Sequence, residues 1–127
     1  MLITDQNQIA EAISQIIGEE SYVSLRRTDF DQLCPHPACA IHVTAPTPAL
    51  LLERLEHELA AVGEVAPSSV IAHLRCANIR MADLEKIDAT LPRASRFKRG
   101  LSFVPEDGEN EVWVFVEEER NVRNMTT

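Results

Sequence analysis

The stretch from 38 to 63, ACAIHVTAPTPALLLERLEHELAAVG, decides the fold because it predicts a strand followed directly by a long helix. The segment Ala38–Thr44 fits a β-strand, and Thr47 with Pro48 provides a helix start in which the missing proline N–H costs nothing. We expect the helix to continue to residue 62, with Gly63 as its C-terminal cap. Its apolar stripe is formed by Leu51, Leu52, Leu55, Leu59 and Val62.

Two elements precede this unit. Isoleucines at helical spacing predict a first helix over Gln6–Ile17, capped by Asp5 and ended by Gly18. Alternation of apolar and polar residues predicts a strand over Ser21–Arg26. The residues from 27 to 37 are predicted to form a loop.

The second half of the chain predicts three further strands and a short helix. A strand over Ser68–Ala77 is followed by a helix over Ala82–Leu91, which ends before Pro92. The strands Leu101–Val104 and Glu111–Val116 flank a run of turn residues and predict a hairpin.

This order of elements predicts one α+β domain that covers residues 1–127. We expect a mainly antiparallel five-stranded sheet with two main helices and one short helix, and with the helices mostly on one face. The tail from 117 to 127 is charged, and we expect it to fray.

Length and composition indicate an ordinary globular domain, with 127 residues, 45% hydrophobic and 25% charged. The N-terminus lacks the basic start and apolar run of a signal peptide, and no stretch has the length of a membrane span. Three cysteines at no recognised disulfide spacing agree with a reducing compartment. We therefore expect a cytoplasmic protein with free thiols and no membrane partner.

The charge balance bears on the choice of partner. The net charge is −8, from 20 acidic and 12 basic residues. Nucleic acid is a disfavoured partner because binding to its backbone depends on Lys and Arg displacing counterions. The acid surplus instead favours another protein with a basic surface.

All three cysteines and all four histidines fall between Cys34 and Cys76. The spacing Cys34-x-His36-x-x-Cys39 places three candidate zinc ligands in one short loop. The pattern matches no standard zinc motif, and strand alternation places Cys39 on the same face as Ile41. We expect buried thiols and no cofactor, and zinc remains the alternative.

Sorting the strands by their apolar faces predicts a partner-binding surface. Val112, Val114 and Val116 form one face of the last strand, which leaves Trp113 and Phe115 on the other. Aromatic residues mixed with Arg and His are typical of interface centres. The alternative is that the first helix, or a second copy of the chain, covers this face. The predicted partner-binding residues here are Tyr22, Arg26, His42, His73, Arg75, Trp113 and Phe115.

A second candidate surface lies in the segment from 93 to 99, RASRFKR, which holds four of the 12 basic residues. Arg96 and Arg99 are its predicted partner-binding residues. Because charge runs are usually solvated loops, a solvated loop is the alternative.

The sequence contains no phosphate-binding loop, nucleophile motif or paired acid–base set. We therefore predict a small acidic protein-binding module without catalytic activity, acting as a regulator, adaptor, chaperone-like escort or inhibitor, with a homodimer as one form. One alternative is a zinc-binding protein or small enzyme that uses the Cys/His window. The other is a small-molecule-binding protein that uses the sheet face.

Overall fold

The computed structural model describes residues 1–18, 23–62, 67–105 and 108–118. Within them the chain forms five strands and four helices. In chain order these are β1 (Leu2–Ile3), α1 (Gln6–Ile17), α2 (Arg27–Leu33), β2 (Cys39–Ala45), α3 (Pro48–Val62), β3 (Pro67–Cys76), α4 (Met81–Thr90), β4 (Arg96–Phe103) and β5 (Asn110–Glu118).

The predicted α+β class is confirmed, and four of the five predicted strands are present in a mixed sheet. The fifth strand of the sheet is β1, which was not predicted, rather than the expected strand at Ser21–Arg26. The strand order is β1-β2-β5-β3-β4. β1 with β2, β2 with β5 and β5 with β3 are antiparallel, whereas β3 and β4 are parallel. α4 provides the crossover that a parallel pair needs.

The predicted hairpin between the last two strands is wrong. β5 lies between β2 and β3, in the middle of the sheet, and β4 pairs with β3. β4 also begins at Arg96 and so includes part of the basic segment that we expected in a loop. β5 continues to Glu118, two residues beyond its expected end and into the predicted charged tail.

One face of the sheet is covered by α3 and α4. Leu51 and Leu55 of α3 and Leu84 and Ile87 of α4 pack in this core. The three valines at 112, 114 and 116 lie in the same core, as strand alternation predicts. Leu52, Leu59 and Val62 complete the expected stripe of α3 as partly buried residues.

The expectation that the helices lie mostly on one face is wrong, because α1 and α2 cover the opposite face. Ile9, Ile13 and Ile16 of α1 pack in a second core with Ile71 and Phe115. The sheet is therefore buried between two helical layers. The physical reason is the composition of β5, which carries apolar side chains on both faces.

The region after α1 differs from the predicted strand and loop. Ser21 and Tyr22 lie outside the described residues, and Val23 forms only an isolated bridge with Leu101. Residues 27 to 33 form a helix, since the Asp29 carboxylate accepts a hydrogen bond from the backbone N–H of Arg26 at 2.8 Å and caps its start. Phe30 anchors this helix in the core below it.

The predicted starts of the two main helices are confirmed, whereas Gly63, the predicted C-terminal cap of α3, lies outside the described residues. The Asp5 carboxylate accepts hydrogen bonds from the N–H groups of Asn7 and Gln8, which caps α1. The Thr47 hydroxyl accepts from the N–H of Leu50 at 3.2 Å at the start of α3. None of the described helices combines the length and apolar character that crossing a membrane requires.

Candidate functional site

Five of the seven residues predicted for the sheet surface share one face of the sheet, namely His42, His73, Arg75, Trp113 and Phe115. His42, Trp113, His73 and Gly100 occupy one row through β2, β5, β3 and β4. The next row holds Thr44, Glu111, Arg75 and Ser102. This is the face covered by α1 and α2.

The aromatic rings on this face stack from the surface into the core. The His42 and Trp113 rings stack with centroids 4.1 Å apart and planes 17° apart. The Trp113 and Phe115 rings stack at 5.8 Å, and Phe30 meets Phe115 edge-on at 5.4 Å. His42 and Trp113 are half-buried, whereas Phe115 is fully buried. The stacked rings therefore connect the partly exposed rim of this face to the core under α2.

Glu111 connects the side chains of His42 and Arg75 at the rim. Its Oε2 lies 2.7 Å from His42 Nε2, and its Oε1 lies 3.7 Å from Arg75 Nη1. The hydrogen bond to His42 lowers the pKa of the Glu111 carboxyl and outweighs the opposing effect of burial, and the Arg75 charge adds to it. The three side chains form a half-buried polar cluster beside Trp113.

His73 lies beneath this cluster and has no access to solvent. Its Nε2 is 3.1 Å from the Ser102 hydroxyl, and its Nδ1 has no hydrogen-bond partner among the described residues. Burial lowers the pKa of His73 to about 4, and the neighbouring Arg75 charge adds to the effect. The ring is therefore a neutral core residue at neutral pH.

The predicted partner-binding residues on this face are thus only partly available. Phe115 and His73 are both 0% exposed and present no surface to a partner in this structure, because α1 and α2 pack over them. His42, Arg75 and Trp113 remain half-buried at the rim. Arg26 is exposed at the start of α2, and Tyr22 lies outside the described residues.

The structure does not bring the three candidate zinc ligands together. Cys34 lies in the core under α1 and α2, whereas Cys39 packs against the core on the opposite face of the sheet. The His36 side chain is exposed. Nowhere in the described part of the chain do three or more His, Cys, Asp or Glu side chains group as metal ligands would.

The buried cysteines are protonated thiols. Burial and the nearby Glu117 carboxylate raise the pKa of the Cys34 thiol to about 12. Burial and Asp83 raise the pKa of the Cys76 thiol to about 12. A thiol in either position is a poor nucleophile and a poor metal ligand.

Arg96 and Arg99 of the second predicted surface lie on β4 and contact the helices on both sides of it. Arg96 Nη1 donates to the Gln32 carbonyl at 3.2 Å, and Arg99 Nε lies 2.8 Å from Asp88 Oδ1 on α4. Between them, Lys98 Nζ lies 2.7 Å from Asp29 Oδ1 on α2. These contacts fix the strand at the edge of the sheet.

The outer edge of β4 is a surface that the sequence analysis missed. Leu101 exchanges two backbone hydrogen bonds with Val23, at 3.0 and 2.9 Å, so its peptide groups point away from β3. By strand alternation the peptide groups of Phe97 and Arg99 point the same way. Neither residue makes a backbone hydrogen bond on that side to any described residue.

Exposed apolar side chains accompany this edge. The Phe97 side chain is 44% exposed, and the Phe103 side chain is 56% exposed. Phe97, Arg99, Leu101 and Phe103 alternate with small or charged residues, which is the strand signal that the sequence contained. Open peptide groups beside exposed aromatic residues are the usual features of a strand that pairs with another chain.

Two open grooves, each of about 720 Å³, adjoin these surfaces, since His42 lines one and Phe103 lines the other. One runs between the edge of β2 and α3, and the other lies between the start of α3 and the start of α4. Trp113 lines neither groove. Neither groove therefore includes the tryptophan of the sheet face that the small-molecule-binding alternative would use.

Comparison with known proteins adds information about the fold. No protein-family model and no curated protein sequence matches the chain. Among solved structures, the α+β fold is similar to part of CetZ from Methanosaeta thermophila, with a TM-score of 0.64 and 12% identity over 94% of this chain and 37% of that one. It is also similar to part of an FtsZ dimer from M. jannaschii, with a TM-score of 0.58 and 8% identity over 84% of this chain and 35% of that one.

The chain thus spans little more than a third of either of these proteins. At such low identity the likeness shows that the fold is shared and shows nothing about activity.

Proposed function

We propose that this chain is a protein-binding module without catalytic activity, and that it contacts its partner through the outer edge of β4. Two features of Phe97 together carry the proposal. Its outward-facing peptide groups make no backbone hydrogen bond to any described residue, and its side chain is 44% exposed. An edge strand of this kind adds a strand from another chain at little structural cost.

The remaining features support the same function. The half-buried cluster of His42, Glu111 and Arg75 is internally paired, and the His73–Ser102 pair has no access to solvent, so neither supports catalysis. The net charge of −8 favours long-range approach to a protein with a basic surface. We place this encounter in the cytoplasm, in line with the free thiols.

Site-specific photo-crosslinking tests the proposal. A photoreactive phenylalanine analogue replaces Phe97 in one variant and Gln15, which is exposed on α1, in a control variant. We expect a discrete crosslinked protein only from position 97, and this protein is then purified and its affinity for the wild-type chain measured.

Matched substitutions make the test specific to the edge of β4. Met81 is 70% exposed at the start of α4, near the Phe103 end of β4, so Met81→Ser removes a comparable apolar surface at the opposite end of this strand from Phe97. We expect Phe97→Ser to weaken binding by at least about tenfold, equivalent to about 1.4 kcal/mol, and Met81→Ser to leave it unchanged. Equal crosslinking from both positions, or equal affinities of both variants, would contradict the proposal.

A further inference from the structure

The open edge of β4 carries a local charge opposite to that of the whole chain. Although the net charge is −8, half of the 12 basic residues lie on β4, at the start of α2, or in the segment between α4 and β4. These six residues are Arg26, Arg27, Arg93, Arg96, Lys98 and Arg99.

Only part of this positive charge is neutralised by neighbouring carboxylates. The acidic side chains on α2 are Asp29 and Asp31, and Asp88 is the α4 carboxylate that contacts β4. Asp29 pairs with Lys98, and Asp88 pairs with Arg99. Arg96, which is exposed, donates to a neutral carbonyl and keeps its charge uncompensated by that contact. Among the described residues, basic groups therefore outnumber acidic groups along this edge.

The backbone shows where an added strand would lie. Val23 pairs with Leu101, and the chain then leaves the edge, because Leu25 packs beneath Gly100 and α2 begins at Arg27. The stretch Phe97–Arg99 is therefore left with outward-facing peptide groups that make no backbone hydrogen bond to any described residue. An extended segment continuing the pairing of Val23 would bind there with regular backbone hydrogen bonds.

A second copy of the chain is a poor occupant of this stretch. Two β4 edges paired antiparallel would bring Arg96, Lys98 and Arg99 of one copy close to the same residues of the other, and facing like charges destabilise a strand pair. An acidic segment would instead place carboxylates opposite these cations.

We infer that the edge of β4 at Phe97–Arg99 binds an extended, acidic segment of a partner protein as an additional strand, an inference that rests on the proposed protein-binding function. The Phe97 ring packs against an apolar residue of that segment, and its carboxylates face Arg96 and the neighbouring basic side chains. The basic partner surface expected from the net charge concerns approach at long range. Salt weakens this long-range attraction, which acts on the rate of approach, whereas the stability of contact at this edge depends on the basic residues within about 10 Å.

Selection from a random library of displayed linear peptides tests the inference with the intact chain as bait. We expect the selected peptides to be rich in Asp and Glu, and to slow hydrogen exchange at the amides of Phe97 and Arg99. Arg96→Glu should weaken these peptides about tenfold, and added salt should weaken them further. Arg54→Glu, on α3 beside β2 and so on the far side of the sheet from β4, is the matched charge control and should change affinity little.

The outcomes separate this inference from the proposed function. In one outcome, the selected peptides lack acidic enrichment and still slow hydrogen exchange at the Phe97 amide. That result would refute the inference of an acidic segment, but it would be consistent with protein binding at the edge of β4. Peptides that bind elsewhere, or the absence of any selected peptide, would refute strand addition, while the crosslinking from position 97 would still decide the proposed function. Protection at Phe97 that rises with protein concentration alone would assign the edge to a second copy and overturn the inference.

Discussion

Gly100 lies directly opposite His73 in the parallel pair of β3 and β4, and Leu25 occupies the space into which a side chain at position 100 would project. A Cβ atom at this position would lie 2.7 Å from Leu25 Cγ and 3.0 Å from His73 Cδ2. The glycine therefore allows the segment after Val23 to pack closely under the sheet.

We predict that Gly100→Ala destabilises the protein by about 1–3 kcal/mol, because the added methyl group displaces buried side chains. Urea unfolding followed by circular dichroism measures the change. Gly18→Ala is the control, since its Cβ would lie at an ordinary 3.5 Å from the Ser14 carbonyl oxygen and its φ is −77°. Equal destabilisation by the two substitutions would show that Gly100 has no special packing role.

His73 makes stability depend on pH. Its pKa is lowered from the ordinary 6.5 to about 4 by burial, so the unfolded chain binds more protons than the native protein between these values. The stabilisation is fully present above about pH 6.5 and is lost as the pH falls to about 4, with a total of about 3 kcal/mol. Unfolding free energies measured at steps from pH 7.5 to 4.5 should decline accordingly.

A matched pair of substitutions isolates this effect. His73→Gln keeps a group able to hydrogen-bond Ser102 and should remove most of the decline, whereas His57→Gln, at an exposed position on α3, should preserve it. The lowered pKa of Glu111 adds a loss in the same direction at still lower pH. An unchanged pH dependence in His73→Gln would rule out His73 as its source.

Phe115 belongs to the predicted surface and Phe97 to the edge of β4. Truncation of the two side chains should change the free energy of unfolding by different amounts. Phe115 is fully buried between Phe30 and Trp113, so we expect Phe115→Ala to cost about 3–5 kcal/mol and Phe115→Leu to cost less. Phe97→Ala, at a 44% exposed side chain, should change stability by less than about 1 kcal/mol. Denaturant titration of the three variants tests this order, and a larger loss from Phe97→Ala would contradict the assignment of Phe97 to the surface.

Local patterns predicted most of the elements but not their arrangement. The bounds of α1 and α3 follow from apolar spacing and from caps at Asp5 and Thr47, which act within a few residues. The position of β5 between β2 and β3 depends on pairing between distant segments, and no local pattern specifies it. The short helix α2 was missed because its start is fixed by the Asp29 cap and its burial by Phe30 rather than by a long apolar stripe.

The candidate site was predictable to a similar extent. Strand alternation correctly placed His42, Arg75 and Trp113 on one face, but it could not show that α1 covers the middle of that face. The open edge of β4 was missed because the predicted hairpin would have paired β4 with β5. Whether a strand is at the edge depends on the order of the whole sheet, which lies beyond sequence periodicity.

The cysteines give the last prediction, because the structure separates them by accessibility. Cys34 and Cys76 are buried, and a pKa of about 12 keeps each thiol protonated at neutral pH. Since the thiolate is the reactive form, we expect a maleimide reagent to modify native protein first at Cys39, which is half-buried, and to give one adduct detected by mass spectrometry. Cys39→Ser should abolish this adduct, and unfolding in urea should make Cys34 and Cys76 react. Fast native labelling of Cys34 would instead mean that its thiol reaches solvent, and would restore the hypothesis of a reactive or metal-binding loop at Cys34 and His36.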